Sequence, residues 1–307
     1  MPCISENPSP MVSVVIAAYG SAEYLNCAIR SVLEQSYKDY ELIVVDDCSA
    51  PEIVAGYQIP KSATFISHEK RRGCGAAGRN TGIAAAKGKY VAFLDVDDAW
   101  FPHKLQAQVD LLESNPHAGL AYCQHVLADK DLRPLAHQDK PRIISKEPLR
   151  QMIIGCFIHA PSTVMMRRDV LLELGGFDTG VIANDWDLWI RTSAGYPLVS
   201  DPNPGTIYRI HPQQMSVNRV RMHDGTIAVL EKTLLWAQTE HPELVKLIKA
   251  RICRVLRRQS LAQMQSRNGS DAVRSLRKAV RIWPWNPRTY GLLARACLGC
   301  ATAGLRR

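Results

Sequence analysis

The sequence predicts an α/β protein, a parallel sheet with helices on both faces, followed by a wholly helical, basic C-terminal region. Three observations carry that expectation. Through the first two hundred residues β-branched runs alternate with helix-spaced segments, the pattern of βα units. From about residue 222 only helical spacing remains. Charge divides at nearly the same place: residues 219–307 hold 18 Lys and Arg against 5 Asp and Glu, or +13, which leaves −4 for the rest of a chain with net charge +9. The expected division is therefore 1–218 and 219–307.

The elements follow in order. VSVVIAA (12–18) is a β-branched strand. SAEYLNCAIRSVLEQ (21–35) has helical spacing with Ser21 as N-cap. ELIVV (41–45) and TFIS (64–67) read as strands. GRNTGIAAAKG (78–88) reads as a helix closed by Gly88. KYVAFL (89–94) is a strand, and FPHKLQAQVDLLES (101–114) a helix with Pro102 in its first turn. AGLAYCQHVLA (118–128) reads as a strand, and the polar stretch 129–148 as a loop or edge excursion. STVMMR (162–167) is a strand, RDVLLELG a short helix ending at Gly175-Gly176, DWDLWIRTSAG (185–195) a helix and GTIYRI (205–210) a last strand. RSLRKAVRIWPWNPRTYGLLARACLG resembles one tetratricopeptide-type helix pair; a single pair cannot bury its own face, so it is read as packing rather than as a repeat array.

Composition narrows the class. At 46% hydrophobic and 22% charged residues the chain reads as globular. No leader peptide is expected, because the first apolar run is short and lacks a basic lead-in. No stretch reaches the roughly 18 apolar residues that a membrane span needs; the longest, GLLARACLGCATAGL, carries Arg295. Nine scattered cysteines, an odd number, suggest free thiols and a reducing compartment. Cys297 and Cys300 form one C-x-x-C pair with no second pair or nearby histidine, so two small apolar helix residues is the preferred reading over zinc or redox chemistry.

In an open α/β sheet ligands bind beyond the carboxyl ends of the strands. At those ends stand Tyr19 and Gly20, then Asp46 and Asp47, then Asp95, Asp97 and Asp98. Like charges that close a buried strand call for a compensating cation, and clustered oxygens suit Mg²⁺ or Mn²⁺. Turn and cap roles for single Asp residues are the plainer alternative. GCGAAG (73–78) matches a dinucleotide fingerprint, with acids about 20 residues on as that motif asks. It does not follow its strand directly, since HEKRR (68–72) intervenes. The glycines are read instead as a turn that delivers Arg79 and Asn80 toward a nucleotide.

At this point the chain resembles a family. VSVVIAAYGSAEYLNCAIRSVLEQSYKDYELIVVDDCSA, GRNTGIAAAKGKYVAFLDVDDAWFPHKL, GGFD and NDWDLWIR are similar, in order and spacing, to inverting family 2 glycosyltransferases of GT-A fold, over about residues 11–218. The resemblance implies a Rossmann-like nucleotide-sugar-binding sheet plus a C-terminal helical extension. It implies that Tyr19 stacks near the base, Asp47 hydrogen-bonds it and Asp95 lies by the ribose or donor sugar. Ala17, Asp46 and Arg79 join this nucleotide- and donor-binding set. Asp97 is the implied metal ligand and Asp185 the general base; His211, in YRIHPQQMS, matches a position where some relatives supply a further ligand. Two residues depart from the family pattern: Gly20 stands for the usual Asn, and Asn184 before Asp185 for the usual Glu.

The implied reaction is transfer from a nucleotide sugar, a UDP-sugar, to a saccharide or lipid-linked acceptor of a bacterial surface polysaccharide or glycolipid. It uses Mn²⁺ or Mg²⁺ and one base, with no covalent nucleophile. The implied location is the cytoplasm, with peripheral contact of the basic helices at the inner, anionic face of the membrane. The rivals are an NAD(P)-binding oxidoreductase, a non-catalytic nucleotide-sugar-binding scaffold and a nucleotidyl transferase. Nucleic acid is not an expected partner, because the basic helices carry no interleaved aromatics.

Overall fold

The computed structural model describes residues 9–73, 75–140, 144–266 and 268–304, the last seven as backbone only. The chain divides into two compact units. The first holds residues 1–151, 156–179 and 188–211; the second holds 152–155, 180–187 and 212–307. The expected boundary after residue 218 falls inside the second.

The strands are β1 (Val12–Ala18), β2 (Tyr40–Asp46), β3 (Thr64–Ser67), β4 (Tyr90–Asp95), β5 (Ala99–Trp100), β6 (Leu120–Ala128), β7 (Val164–Arg167) and β8 (Leu198–Arg209). They form one sheet in the order β3-β2-β1-β4-β7-β6-β8-β5. The expectation of a parallel sheet holds for most of it, the β6–β8 pair included. β3, β2, β1 and β4 run parallel, whereas β7 is antiparallel to both β4 and β6, and β5 is antiparallel to β8. The chain reaches β7 from β6 over residues 129–163, through a helix at Pro148–Ile154 and a 3-10 turn at Pro161–Thr163, and this connection returns it antiparallel between β4 and β6.

The first unit's helices are α1 (Ala22–Leu33), α2 (Pro51–Val54), α3 (Ala76–Ala85), α4 (Lys104–Glu113) and α6 (Arg168–Glu173), with α5 (Pro148–Ile154) and α7 (Asn184–Gly195) divided between the units. Ser21 caps α1 as expected, its Oγ accepting from the Tyr24 N–H at 3.2 Å. α1 then presses Leu25, Ile29 and Val32 against Val14 and Ile16 of β1. α4 starts at Lys104, so Pro102 precedes the helix instead of opening it. Gly88 is not the helix closure expected of it: α3 ends at Ala85, and a Cβ on Gly88 would stand 2.6 Å from the Ser13 nitrogen. α3 also lies hard against β1. A Cβ on Gly82 would meet Val15 Cγ1 at 2.3 Å, and one on Gly78 would meet Ala17 Cβ at 3.1 Å.

One charge sits deep in this core. Lys104 is 1% exposed, with Nζ 3.7 Å from the centre of the Trp100 ring and 3.5 Å from the Val164 carbonyl. Burial pushes its ammonium down to about 7.

The second unit is helical: α8 (Arg219–Glu240), α9 (Val245–Gln265), α10 (Gly269–Ile282) and α11 (Pro287–Gly304). Val229, Leu230, Ile248, Ile252 and Leu256 are fully or almost fully buried, and α10 packs Ala272 and Leu276 on Ala296 of α11. That contact agrees with the sequence reading of 274–299 as one packed helix pair. Among the described residues no helix is long and apolar enough to cross a membrane. The described cysteines Cys27, Cys48, Cys123, Cys156, Cys253 and Cys297 form no disulfide, and the Cys300 side chain lies outside the described residues.

Candidate active site

Pairing register brings the carboxyl ends of the parallel strands to one rim. Ala17 is level with Val45 and Asp95, and Ala18 with Asp46. The residues leading up to the rim are apolar in each strand, Val14–Ala18, Leu42–Val45 and Val91–Leu94, so the polar residues that follow emerge together.

The two acids after β2 have different tasks. Asp46 is fully buried and accepts from the Ser49 N–H (2.9 Å), the Tyr57 hydroxyl (2.9 Å) and the Ser67 hydroxyl (3.4 Å). It builds the loop floor rather than facing a ligand. Asp47 accepts from the Arg72 N–H at 2.9 Å, the Gly73 N–H at 2.7 Å and His68 Nδ1 at 2.8 Å. Burial pushes its carboxyl up, but these donors outweigh burial and the net shift is downward. An ionised carboxylate only accepts, which fixes the proton on His68 Nδ1; His68 Nε2 meets the Thr81 hydroxyl at 2.9 Å. The HEKRR segment, which in sequence is only an interruption before the glycines, is thus folded around Asp47. It also supplies Arg71, whose guanidinium carbon lies 3.9 Å from the centre of the half-exposed Tyr19 ring.

The three acids after β4 are compensated in three ways, which answers the problem posed by their repulsion. Asp95 takes a charge-assisted hydrogen bond from Arg79, itself 8% exposed and lying over the Phe177 ring at 5.2 Å. Asp98 is 1% exposed and acts as a strut: Ser162 Oγ donates to it at 2.5 Å and the Arg209 N–H at 3.1 Å. Burial, with Asp97 and Asp95 close by, holds its carboxyl well above the usual range. Asp97 stays more open, with Oδ2 3.0 Å from His211 Nε2. Burial and Asp95 push its carboxyl up and His211 draws it back. Arg209 Nε donates to the Asp97 carbonyl at 2.6 Å, and its guanidinium lies 4.3 Å above Tyr24, whose ring meets His211 edge-on at 5.4 Å.

The pair of Asp97 and His211 fits a hard divalent ion. Neighbouring ligands of an octahedral Mg²⁺ or Mn²⁺ with bonds near 2.1 Å stand about 3.0 Å apart, the separation found here. The carboxylate oxygen is the donor such ions prefer, and a single imidazole leaves the remaining positions to oxygen from a diphosphate and water.

Asn80 is directed elsewhere than expected. Its Nδ2 donates to the Phe177 carbonyl at 2.7 Å and its Oδ1 accepts the Phe177 N–H at 2.9 Å. The clamp requires Gly176, which has φ +68° and whose Cβ would stand 2.6 Å from Asn80 Oδ1. GGFD is therefore a structural partner of the α3 segment.

Asp185 belongs to the second unit and stands in the first turn of α7, after the cap position, with Oδ1 accepting the Trp186 N–H at 2.8 Å. Asp187 is directed differently, as its spacing predicts: it is 3% exposed and pairs with Lys232 at 2.9 Å.

Comparison with known proteins gives a consistent picture. The family described as "Glycosyl transferase family 2" matches residues 13–175. An uncharacterized glycosyltransferase of Rickettsia prowazekii is 32% identical over 216 residues, covering 67% of this chain and 66% of that protein. The amylovoran biosynthesis glycosyltransferase AmsB of Erwinia amylovora is 31% identical over 251 residues, covering 76% of this chain and 79% of that protein. This chain spans as little as 35% of a second rickettsial relative. Among solved structures, S. aureus TarS 1-349 in complex with UDP-GlcNAc superposes with TM-score 0.66 at 17% identity, covering 94% of this chain and 87% of that one. The mannosyltransferase PcManGT from Pyrobaculum calidifontis, in complex with GDP-Man and Mn²⁺, gives 0.62 at 20% identity, covering 94% and 80%. The fold is that of the GT-A glycosyltransferases.

Proposed function

The chain belongs to glycosyl transferase family 2, and from that premise we propose that it moves a sugar from a UDP-sugar to a hydroxyl of a saccharide or lipid-linked acceptor, with inversion and with a divalent ion. The observation that carries the reading is the rim itself: Asp47 stands at the end of β2 and Asp95 and Asp97 at the end of β4, the two parallel strands that flank β1, and His211 stands 3.0 Å from Asp97.

Each residue has work suited to its setting. Tyr19 and Arg71 offer a stacked, half-exposed surface to a base. Asp47 Oδ2 accepts one bond and keeps capacity for an N–H of that base. Asp95, its charge balanced by Arg79, presents a carboxylate to sugar hydroxyls. Asp97 and His211 would hold Mn²⁺ or Mg²⁺, which when bound stabilises negative charge on a departing diphosphate. Asp185 takes the proton of the acceptor hydroxyl. The family resemblance and its first-turn position support that role.

UDP is favoured by the likeness to TarS bound to UDP-GlcNAc, and a polysaccharide product by the likeness to AmsB. The second unit supports contact with an anionic cytoplasmic membrane face. On α10 Arg274, Arg277, Lys278 and Arg281 are all exposed, and Trp285 just beyond is 87% exposed. Basic side chains draw a segment to anionic headgroups by about 1 kcal/mol each, and Trp sits well at such an interface.

A donor panel tests the proposal. Each nucleotide sugar is incubated with the protein, Mn²⁺ and candidate acceptors, and released nucleoside diphosphate is measured. UDP release with one UDP-sugar is expected. GDP release from GDP-mannose would replace the donor, and binding of NADH without UDP would overturn the reading.

A further inference from the structure

We propose that His125, Asp139 and His159 form a second divalent-metal site, of zinc type, that shares no residue with the Asp97–His211 pair. The inference stands on geometry and is independent of the donor chemistry.

His125 lies on β6, Asp139 on the polar excursion after it, and His159 just before the Pro161–Thr163 turn. Asp139 Oδ2 is 3.4 Å from His125 Nε2 and 3.6 Å from His159 Nδ1. All three ligand atoms lie within 4.8 Å of one another. Both separations are long for a hydrogen bond, which runs to about 3.2 Å. They are close to the edge of a zinc tetrahedron, about 3.3–3.5 Å for bonds of 2.0–2.2 Å. The spacing therefore suits an ion between the groups better than a proton.

The imidazoles are arranged as ligands. Their rings stack with centres 3.8 Å apart at 24°. The Tyr208 ring meets His159 edge-on at 4.4 Å and restrains its orientation. Asp139 is held from next door: Gln138 donates to the Leu127 carbonyl at 3.0 Å and accepts the Leu127 N–H at 2.7 Å, a strand-like pairing. Exposure rises from 8% for the His125 side chain to 21% for His159 and 34% for Asp139. The trio thus has a closed floor and an open mouth, and a fourth position is left for water or an outside donor.

The donor set also chooses the metal. Two imidazoles and one carboxylate suit Zn²⁺ and Co²⁺, whereas Mn²⁺ and Mg²⁺ favour oxygen-rich sites. An ion here would link three segments of chain and pin the segment 129–140 to β6.

The test uses full-length protein carrying Asp97→Ala, which removes the first site, stripped with chelator and titrated with Co²⁺. One equivalent with the intense d–d absorption of four-coordinate cobalt is expected, displaced by Zn²⁺. Slower tryptic cleavage at Lys130 should accompany binding. Adding His125→Asn, His159→Ala or Asp139→Asn should each weaken Co²⁺ binding by at least about 100-fold. Asp139 is partly exposed, so its variant tests the ligand set without a folding penalty. No Co²⁺ bound by Asp97→Ala, weak octahedral spectra, or unchanged affinity in the Asp139→Asn protein would each overturn the proposal, leaving a plain histidine–carboxylate cluster.

Discussion

His211 Nε2 stands 3.0 Å from Asp97 Oδ2 across 114 residues of sequence. The contact joins the turn after β4 to the end of β8, and Arg209 strengthens the join through the Asp97 carbonyl. If both groups hold one ion, removing either should affect metal-linked nucleotide binding. Asp97→Ala should lose Mn²⁺-dependent UDP binding by calorimetry, His211→Ala should weaken it by at least about tenfold, and EDTA should stop turnover in the wild type. Full turnover in EDTA would count against metal dependence.

If Asp185 is the base, as proposed, it and Asp187 should separate chemistry from stability on one helix turn. Asp185→Asn keeps an acceptor for the Trp186 N–H but cannot take a proton. Turnover should fall by about 10²–10⁴-fold while melting temperature and UDP affinity hold. Asp187→Asn should instead weaken the tie to Lys232 and cost about 1–3 kcal/mol in chemical denaturation. Near-normal turnover in Asp185→Asn would remove it as the base.

Lys104 sets a pH dependence of stability. Its pKa in the fold, about 7, lies below its unfolded value near 10.5. Between these values the unfolded chain holds a proton that the folded chain lacks, so stability rises with pH through that window. From pH 7 to 9 this group should add about 2 kcal/mol. Lys104→Met should remove that increment in urea titrations; an identical pH slope in the variant would show that the buried ammonium is not the source.

The basic face of α10 predicts selective membrane binding. Flotation with vesicles containing phosphatidylserine should recover more protein than neutral vesicles do, and Arg277→Ala with Arg281→Ala should reduce recovery in low salt. Trp285→Ala should reduce it at all salt concentrations, because its share is not electrostatic. Equal recovery on both vesicle types would dismiss the charge argument.

Most strands and helices with clear periodicity were legible to within two or three residues, because burial on one or both faces imposes the pattern directly; β8 was not, since it begins at Leu198 rather than Gly205 and runs through Pro202 and Pro204. The direction of β7 was not, since nothing in VMMR tells which way a strand enters the sheet after the long connection over residues 129–163. The rim acids were legible from position alone. Their compensation was not: Arg79 on Asp95 could be guessed from nearness in the chain, but Ser162 and Arg209 on Asp98 join segments 64 and 111 residues away. Asn80 read as a nucleotide ligand and proved to clamp Phe177, 97 residues on, because an exposed-looking Asn after glycines carries no mark of its partner. The trio of His125, Asp139 and His159 has no metal-motif spacing, so only folding reveals it.

The contact between α3 and β1 makes the rim a matter of tolerances. The helix is a beam that rests on the strand at Gly78 and Gly82 with no shim between them. Arg79, next to one bearing point, is the arm that reaches Asp95. A single methyl group slipped beneath the beam at either glycine would lift that arm from its seat while leaving every charge in the rim unchanged. The electrostatic setting of the rim is thus gauged by the thickness of two side chains that are not there.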